Sequence, residues 1–223
     1  MTRETLNRYA RAEQLSDAVV HMIGLACALA AVPVLVWLSV EWRGDVAVVT
    51  AVSIYGTTLV GMLGCSALYN MTREHRFTPV FRRLDHSAIY LKIAGSFTPL
   101  AAMTGGGGMA FLAGLWMVAI GGSSLKIIAP DRLRWLGLSL YLGMGWVGVW
   151  VGRDIIEGLT PGAVALIATA GVLYTVGVLF YLWERLPFHT AIWHGFVVIA
   201  SGLIYAAMCV EVTRQLGPMP ALG

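Results

Sequence analysis

The sequence predicts an all-α membrane protein, a bundle of seven transmembrane helices with its N-terminus in the cytoplasm and its C-terminus outside. Three observations support this fold class. First, 58% of the 223 residues are hydrophobic and only 12% are charged, and the mean hydropathy of +0.75 is well above that of soluble domains. Second, seven apolar runs are long enough to cross a bilayer. Third, positive charge is unequally divided between alternate loops.

Each apolar run is close to the roughly 20 helical residues that span a hydrocarbon core. In chain order the runs are Val19–Val40, Val46–Tyr69, Leu84–Met103, Gly108–Ile128, Arg134–Gly152, Pro161–Trp183 and His189–Val210. Only short connectors remain, which indicates one membrane domain over residues 17–212. We expect a cytoplasmic interfacial segment before it (1–16) and a short external tail after it (213–223).

The orientation follows from the lysine and arginine count, because positive charge is retained on the cytoplasmic side. One set of alternate loops holds 11 of the 15 basic residues and the other set holds 3, while Lys92 lies inside a run. This asymmetry predicts a multi-pass membrane protein whose N-terminus lies in the cytoplasm and whose C-terminus lies outside. The net charge of +3 fits an anionic leaflet, and we expect no nucleic-acid partner because no basic groove with stacking aromatics is present. The sequence identifies no protein partner.

The histidines predict one polar site at the cytoplasmic side. All five lie at or just beyond the ends of apolar runs on that side: His21, His75, His86, His189 and His194. Residues four apart share a helix face, because each residue turns the helix by 100°. Asp17 and His21 meet this condition at the inner end of the first run, where the carboxylate can orient the imidazole.

Polar side chains of the second and third runs are expected at the same depth. Ser66 and Asn70 are four residues apart at the inner end of the second run. Asp85 and His86 open the third run, and Lys92 lies about two turns deeper on the Asp85 face. A lysine that faced lipid would be unfavourable, so Lys92 should point into the bundle, toward a carbonyl or an acid such as Asp85.

The seventh run carries a polar stripe at steps of four, seven and four residues: Thr190, His194, Ser201 and Tyr205. His189 is about 140° around the helix from His194, so these two are not a natural chelating pair. Taken singly, each polar residue has a simpler explanation as a helix cap, an interface anchor or a satisfied core group. Their joint placement at one depth is the stronger indication of a site.

Several motifs, in this order along nearly the whole chain, resemble the hemolysin III family of bacterial membrane proteins. That family is related to the progestin and adipoQ receptors, which include the adiponectin receptors. The motifs are Ser16–Gly24 (SDAVVHMIG), Ser66–Tyr69 (SALY), Leu84–Tyr90 (LDHSAIY), Ile93–Pro99 (IAGSFTP), Tyr141–Trp146 (YLGMGW) and Ala191–Val197 (AIWHGFV).

The resemblance implies a multi-pass protein of a bacterial inner membrane, with seven helices and a cytoplasmic N-terminus. In the receptor branch it also implies a zinc ion held by three histidines. One histidine belongs to a Ser-x-x-x-His motif on the second helix and two to a His-x-x-x-His motif on the seventh, with an aspartate of the third helix near the metal-bound water. Here Ser66, Asp85 and His194 match, but Asn70 and Thr190 occupy the other two histidine positions. Neutral amide and hydroxyl oxygens are poor zinc ligands.

The sequence therefore predicts a degenerate metal site with His194 as the one matched zinc ligand. His189 is the candidate for the missing ligand of the seventh helix, and His86, His21 or Asp85 would have to supply the rest. Lys92 in the same chamber would oppose a divalent cation. The predicted polar site around His194 also includes His21, Asn70, His86, Lys92, Thr190 and Ser201.

Three functions follow from the resemblance and the polar site. The first is a membrane-homeostasis or lipid-sensing factor that binds a membrane lipid or fatty acid between its helices. The second is a zinc-dependent intramembrane hydrolase of lipid amides or esters, with Asp85 and Ser66 as catalytic residues. The third is a pore-forming cytolysin, the activity in the family name, although no run carries a polar stripe from end to end. We rank them in this order, and whether the chain is an enzyme stays open.

Overall fold

The computed structural model describes residues 3–72, 75–105, 108–128 and 134–214, and within these ranges the chain is helical with no strand. Seven helices have 17 or more residues, and a short eighth lies between the fifth and the next long one. The helices are α1 (Arg3–Trp42), α2 (Val46–Met71), α3 (Thr78–Met103), α4 (Met109–Ile128), α5 (Arg134–Trp150), α6 (Arg153–Gly158), α7 (Pro161–Leu182) and α8 (His189–Val212).

Five of these helices are long and apolar enough to cross a membrane: α2, α4, α7, α8 and the part of α1 from Arg11 to Trp42. The other two long helices do not meet both conditions over their described length. Helix α3 includes the polar residues Asp85 and Lys92, and α5 is only 17 residues long. A protein with several membrane helices is thus supported, while seven crossings and the orientation of the termini stay predictions.

The predicted runs and the observed helices differ mainly at their ends. The segment 1–16, expected to be separate, is continuous with α1 as far as it is described, and α3 begins at Thr78 rather than Leu84. Pro79 in the first turn of α3 explains this earlier start, because a proline there leaves no hydrogen bond unmade. Helix α6 was not predicted. The predicted external tail lies outside the described residues from residue 215 onward.

The first and last helices lie side by side and run in the same direction. Three contacts along their length establish this arrangement: His21 with His194, the Ala31 carbonyl with Tyr205, and Arg43 with the Val212 carbonyl. The contact between α1 and α8 closes the bundle. It also brings together residues that are far apart in sequence. We call the end of the bundle at His21 and His194 the histidine end, and the end at Arg43 and Glu211 the Glu211 end.

Helix α3 is the most enclosed helix, with 12 buried residues. Ser87 and Ser123 each donate a hydrogen bond to the other's backbone carbonyl, at 3.1 and 3.0 Å, which joins α3 to α4. On another side the ring of Phe97 packs against Gly148 of α5, where a Cβ atom would clash with the ring. These close contacts hold Asp85 and Lys92, both on α3, inside the bundle.

Candidate metal centre and internal cavity

A buried group of one carboxylate and two imidazoles joins α1 to α8 at the histidine end. Asp17 and His21 are each 2% exposed and His194 is 8% exposed. Asp17 Oδ1 lies 2.6 Å from His194 Nδ1, and Asp17 Oδ2 lies 3.7 Å from His21 Nε2. The two imidazole rings are 4.2 Å apart between centroids. This trio is the one group of three metal-ligating side chains found in the described part of the chain.

Local sequence explains how the trio is assembled. Asp17 and His21 share a face of α1 because they are one helical turn apart. Helix α8 approaches that face closely at Gly24, where a Cβ atom would lie 2.7 Å from a methyl group of Val198. A glycine at this position therefore lets the two helices approach closely enough for Asp17 to reach His194.

Two residues of the predicted site lie beside the trio. The buried Asp85 of α3 interacts with the charges of His194 and Asp17, and with the side chain of Ser66 on α2. The structure thus brings two carboxylates, two imidazoles and a hydroxyl together from α1, α2, α3 and α8. Asn70 also faces this region, and its amide donates a 3.0 Å hydrogen bond to the Ser66 carbonyl.

A cavity of about 950 Å³ extends from this polar end far into the bundle. Along α3 its lining runs from Arg82 to Leu100, which is about 27 Å of helix. Asp85, His194 and other polar side chains line it at the histidine end, whereas toward the Glu211 end its walls are apolar. Those apolar lining residues include Phe97, Leu100, Ile156, Val164 and Ile167. The volume lies within the range typical of small-molecule sites.

The other predicted site residues line this cavity or border it without joining the trio. His86, His189 and Thr190 line it, and the buried Nδ1 atom of His189 has no hydrogen-bond partner among the described residues. Ser201 borders it through a 2.7 Å hydrogen bond with Tyr174. Among the described residues, the metal-ligating group includes His194 and His21, two of the candidates from the sequence, and does not include His189 or His86.

Lys92 lines the cavity but does not pair with Asp85, contrary to one expectation from the sequence. Its Nζ donates a hydrogen bond to Tyr174 Oη of α7 at 2.5 Å. Lys92 and Asp85 lie on one face of α3, but seven residues of helix separate them by about 10 Å. The side chain of Lys92 is instead directed across the cavity to α7.

The residues present fit a metal ion in a different way from that implied by the family resemblance. At the two replaced histidine positions, the Asn70 amide bonds to the backbone and Thr190 offers only a neutral hydroxyl. Asp17, His21 and His194 instead offer one carboxylate oxygen and two imidazole nitrogens, all within 4.8 Å of one another. Imidazole and carboxylate are typical zinc ligands. The donor set therefore suits a divalent ion held between α1 and α8.

Sequence reasoning underestimated Asp17 and Tyr174 in this region, and Glu211 at the opposite end of the bundle. Asp17 was noted only as an orienting partner of His21, because its contact with His194 spans 177 positions of sequence. Tyr174 lies in an apolar run and gave no signal of a polar role. Glu211 resembled an ordinary charged residue at the end of a run, yet it is buried and binds Thr160.

Comparison with known proteins agrees with the family resemblance seen in the sequence. A family model described as "Haemolysin-III related" matches residues 9–205. The "Hemolysin-3" of Bacillus cereus is 35% identical over 195 residues, which cover 86% of this chain and 89% of that protein. The "Hemolysin-3 homolog" of Bacillus subtilis (strain 168) is 31% identical over 205 residues, which cover 90% and 96%.

The similarity extends beyond bacteria. The human "Monocyte to macrophage differentiation factor" is 29% identical over 163 residues, which cover 70% of this chain and 67% of the human protein. The family match covers most of the chain, and the structure supplies several apolar helices long enough to cross a bilayer. The chain is therefore a membrane protein that belongs to the haemolysin-III-related family.

Proposed function

We propose that this protein is a lipid-responsive factor of a bacterial inner membrane, which binds a single-chain lipid in its internal cavity. The observation that carries the proposal is the cavity itself, polar at the histidine end and apolar beyond Phe97. A lipid has the same division between a polar head and an apolar tail. The bacterial relatives and the excess of basic residues in one set of loops support the inner membrane as its location.

The metal-ligating trio gives this binding a means of acting on the fold. A divalent ion held by Asp17, His21 and His194 would tie α1 to α8 next to the polar end of the cavity. His194 belongs to the trio, and Val197 and Ile204 of the same helix line the cavity, so a lipid in the cavity contacts the helix that α1 packs against. Lipid occupancy and the packing of these two helices are therefore coupled in this proposal.

The cavity can be tested with a matched pair of glycine substitutions on α5. Gly145 lines the cavity, and no atom lies within 4 Å of where its Cβ would be, so Gly145→Leu would place a side chain in the cavity. Gly143 on the same helix is equally uncrowded but does not line the cavity. Gly143→Leu therefore controls for the change in helix propensity.

The readout is the lipid that remains with the purified full-length protein, measured by mass spectrometry after detergent exchange. We expect lipid with the wild-type protein and Gly143→Leu, and a loss of most of it in Gly145→Leu. A wild-type protein that retains no lipid, and gains no thermal stability from added lipid, would contradict the proposal. Equal retention in the two variants would place the lipid outside the cavity and contradict it as well.

A second candidate function is hydrolysis of lipid amides or esters, favoured by the position of Asp85 and Ser66 beside His194. A divalent ion at the trio would supply Lewis acidity and an activated water. Asp85 is placed to hold or pass a proton, and the Ser66 hydroxyl can donate a hydrogen bond to a substrate oxygen. Release of fatty acid from an N-acyl lipid, lost in Asp85→Asn without loss of bound metal, would establish this candidate.

The names of the bacterial relatives suggest a third candidate, lysis of cells through a pore. The apolar lining of the cavity at Leu100, Ile156 and Val164 does not favour a water-filled path. We expect liposomes that contain the protein to retain an entrapped dye as well as liposomes with an unrelated membrane protein. Rapid release of the dye would favour a pore-forming function over that of a lipid-responsive factor.

A further inference from the structure

A buried positive charge lies along the cavity without an acidic partner. Lys92 is 4% exposed, and its Nζ contacts Tyr174, with a 2.5 Å hydrogen bond to the hydroxyl and 4.5 Å to the ring centre. Among the described residues no carboxylate forms an ion pair with Lys92. An ammonium group has three hydrogens to donate, and a buried charge is unfavourable unless it is paired.

Hydroxyl groups surround this charge. Tyr174 Oη, which accepts from Lys92, is also 2.7 Å from Ser201 Oγ of α8. The hydroxyl of Tyr55 on α2 lies near enough to interact with Tyr174, is fully buried, and has no hydrogen-bond partner among the described residues. Buried polar groups are nearly always hydrogen-bonded, so unmatched donors at this depth indicate that a further acceptor belongs there.

We propose that Lys92, with the hydroxyls of Tyr174 and Ser201, binds the anionic head group of a single-chain amphiphile such as a fatty acid or an alkyl phosphate. The tail of the amphiphile lies in the apolar part of the cavity. This inference rests on the proposed function and names the chemical class of the lipid. It assigns the head group to the middle of α3, away from the metal-ligating trio.

The distribution of charge favours this position over the histidine end. Asp17 and Asp85 bring two carboxylates to the histidine end, so an anionic head group would be repelled there without a metal ion and would gain no net attraction with a divalent ion bound. Lys92 lies about 10 Å farther along α3 and forms no ion pair with an acid in the described part of the chain. Attraction between a carboxylate or phosphate and this ammonium is strong because Lys92 is buried away from water.

The length of the cavity beyond Lys92 matches one acyl chain. Tyr174 and Val164 of α7 both line the cavity and are separated by about 15 Å of helix. That distance is half of the roughly 30 Å bilayer core, which is the space one leaflet's acyl chains fill. Phe97, Leu100 and Ile167 provide apolar walls over this length.

The test is competition binding to the full-length protein, purified and stripped of lipid in detergent. Radiolabelled palmitate is the probe, and unlabelled palmitate, hexadecyl phosphate and hexadecanol are the competitors. Hexadecanol has the same tail without the charge, so we expect it to compete about tenfold less well than palmitate, or weaker still. The relative strength of palmitate and hexadecyl phosphate distinguishes a carboxylate from a phosphate head group, and either result supports an anionic ligand.

Substitutions at two buried lysines of the cavity provide matched variants. Lys92→Met should remove the preference for palmitate over hexadecanol, while Lys92→Arg should keep it because the charge stays. Lys126 also lines the cavity and is buried, so Lys126→Met makes the same chemical change at a different place. We expect Lys126→Met to retain the preference.

Three results would overturn the inference: equal competition by hexadecanol and palmitate in the wild-type protein, an undiminished preference in Lys92→Met, or a preference lost only in Lys126→Met. The first of these needs no variant, so it decides the matter even if Lys92→Met fails to fold. If hexadecanol and palmitate bind equally well, only the anionic class is wrong. If neither palmitate nor hexadecanol binds, both this inference and the proposed function are wrong.

Discussion

The two ends of helix α8 both bury carboxylates, but only one of them is closed. At the Glu211 end, Glu211 Oε1 accepts hydrogen bonds from the backbone N–H of Thr160 at 2.6 Å and from its hydroxyl at 2.5 Å, and Arg214 lies 3.7 Å from the other oxygen. Arg43 donates to the backbone carbonyls of Glu211 and Val212. Burial lowers the pKa of Arg43, and the Glu211 charge opposes that shift.

At the histidine end the carboxylates are arranged differently. Asp17 and Asp85 are both close to His194. Of these three residues, Asp85 and His194 line a cavity instead of being enclosed by packed side chains. Like charges in one small region are unfavourable unless something balances them. The closed network of Glu211 therefore ties loops and helix ends together for stability, whereas the open network of Asp17 and Asp85 is suited to a ligand.

The largest expected effect on stability comes from breaking the closed network. Glu211→Ala should destabilise the protein by about 3 kcal/mol or more, because Arg214 and the start of α7 lose a buried partner. Thermal unfolding in detergent measures this effect. Glu157→Ala is the matched control, since Glu157 forms an exposed ion pair with Arg153 and such pairs contribute little. Equal unfolding temperatures for the two variants would contradict the difference proposed between the Glu211 end and the histidine end.

A second substitution tests whether the histidine end behaves as an open site. Asp17→Asn keeps the size of the side chain and can still hydrogen-bond to His194, so the metal-free variant should unfold near the wild-type temperature. Added zinc at about 100 times its dissociation constant should stabilise the wild-type protein by about 2.7 kcal/mol. The variant should lose most of that gain. A large loss of stability without metal would make Asp17 a structural residue like Glu211.

The third and smallest expected effect has the opposite sign. Lys92→Met replaces a buried ammonium with an apolar side chain of similar length, so the lipid-free protein should gain about 1 kcal/mol. Glu211→Ala and Lys92→Met both remove buried charges and should shift the unfolding temperature in opposite directions. Destabilisation by Lys92→Met would mean that its bond to Tyr174 serves the fold alone.

The seven apolar runs located the long helices well, because membrane helices must be continuous apolar segments of a set length. Boundaries were less accurate where polar residues continue a helix, as from Thr78 to Leu84. Helix α6 was missed because its six residues include Arg153, Asp154 and Glu157, a composition typical of a loop. Helices this short form through tertiary contacts, here the burial of Ile155 against Gly108, and leave no periodic signal.

The candidate site was only partly predictable for a different reason. Spacing within one helix paired Asp17 with His21, but no rule of spacing could show that His194 would reach the same carboxylate. The resemblance to a known family directed attention to Asn70 and Thr190, the replaced positions. The structure instead groups His194 with α1, because α1 and α8 lie side by side. Lys92 was expected to face inward, yet its partner Tyr174 could be found only in three dimensions.

Metal content is the most direct test of the central claim that α1 and α8 together form a ligand-binding centre. The full-length protein is loaded with zinc, freed of excess ion and analysed by mass spectrometry for metal per chain. We expect about one ion in the wild-type protein and in His86→Ala, a cavity histidine outside the trio, and almost none in His21→Ala or His194→Ala. Undiminished zinc in His21→Ala, or none in the wild-type protein, would contradict a metal centre between these helices.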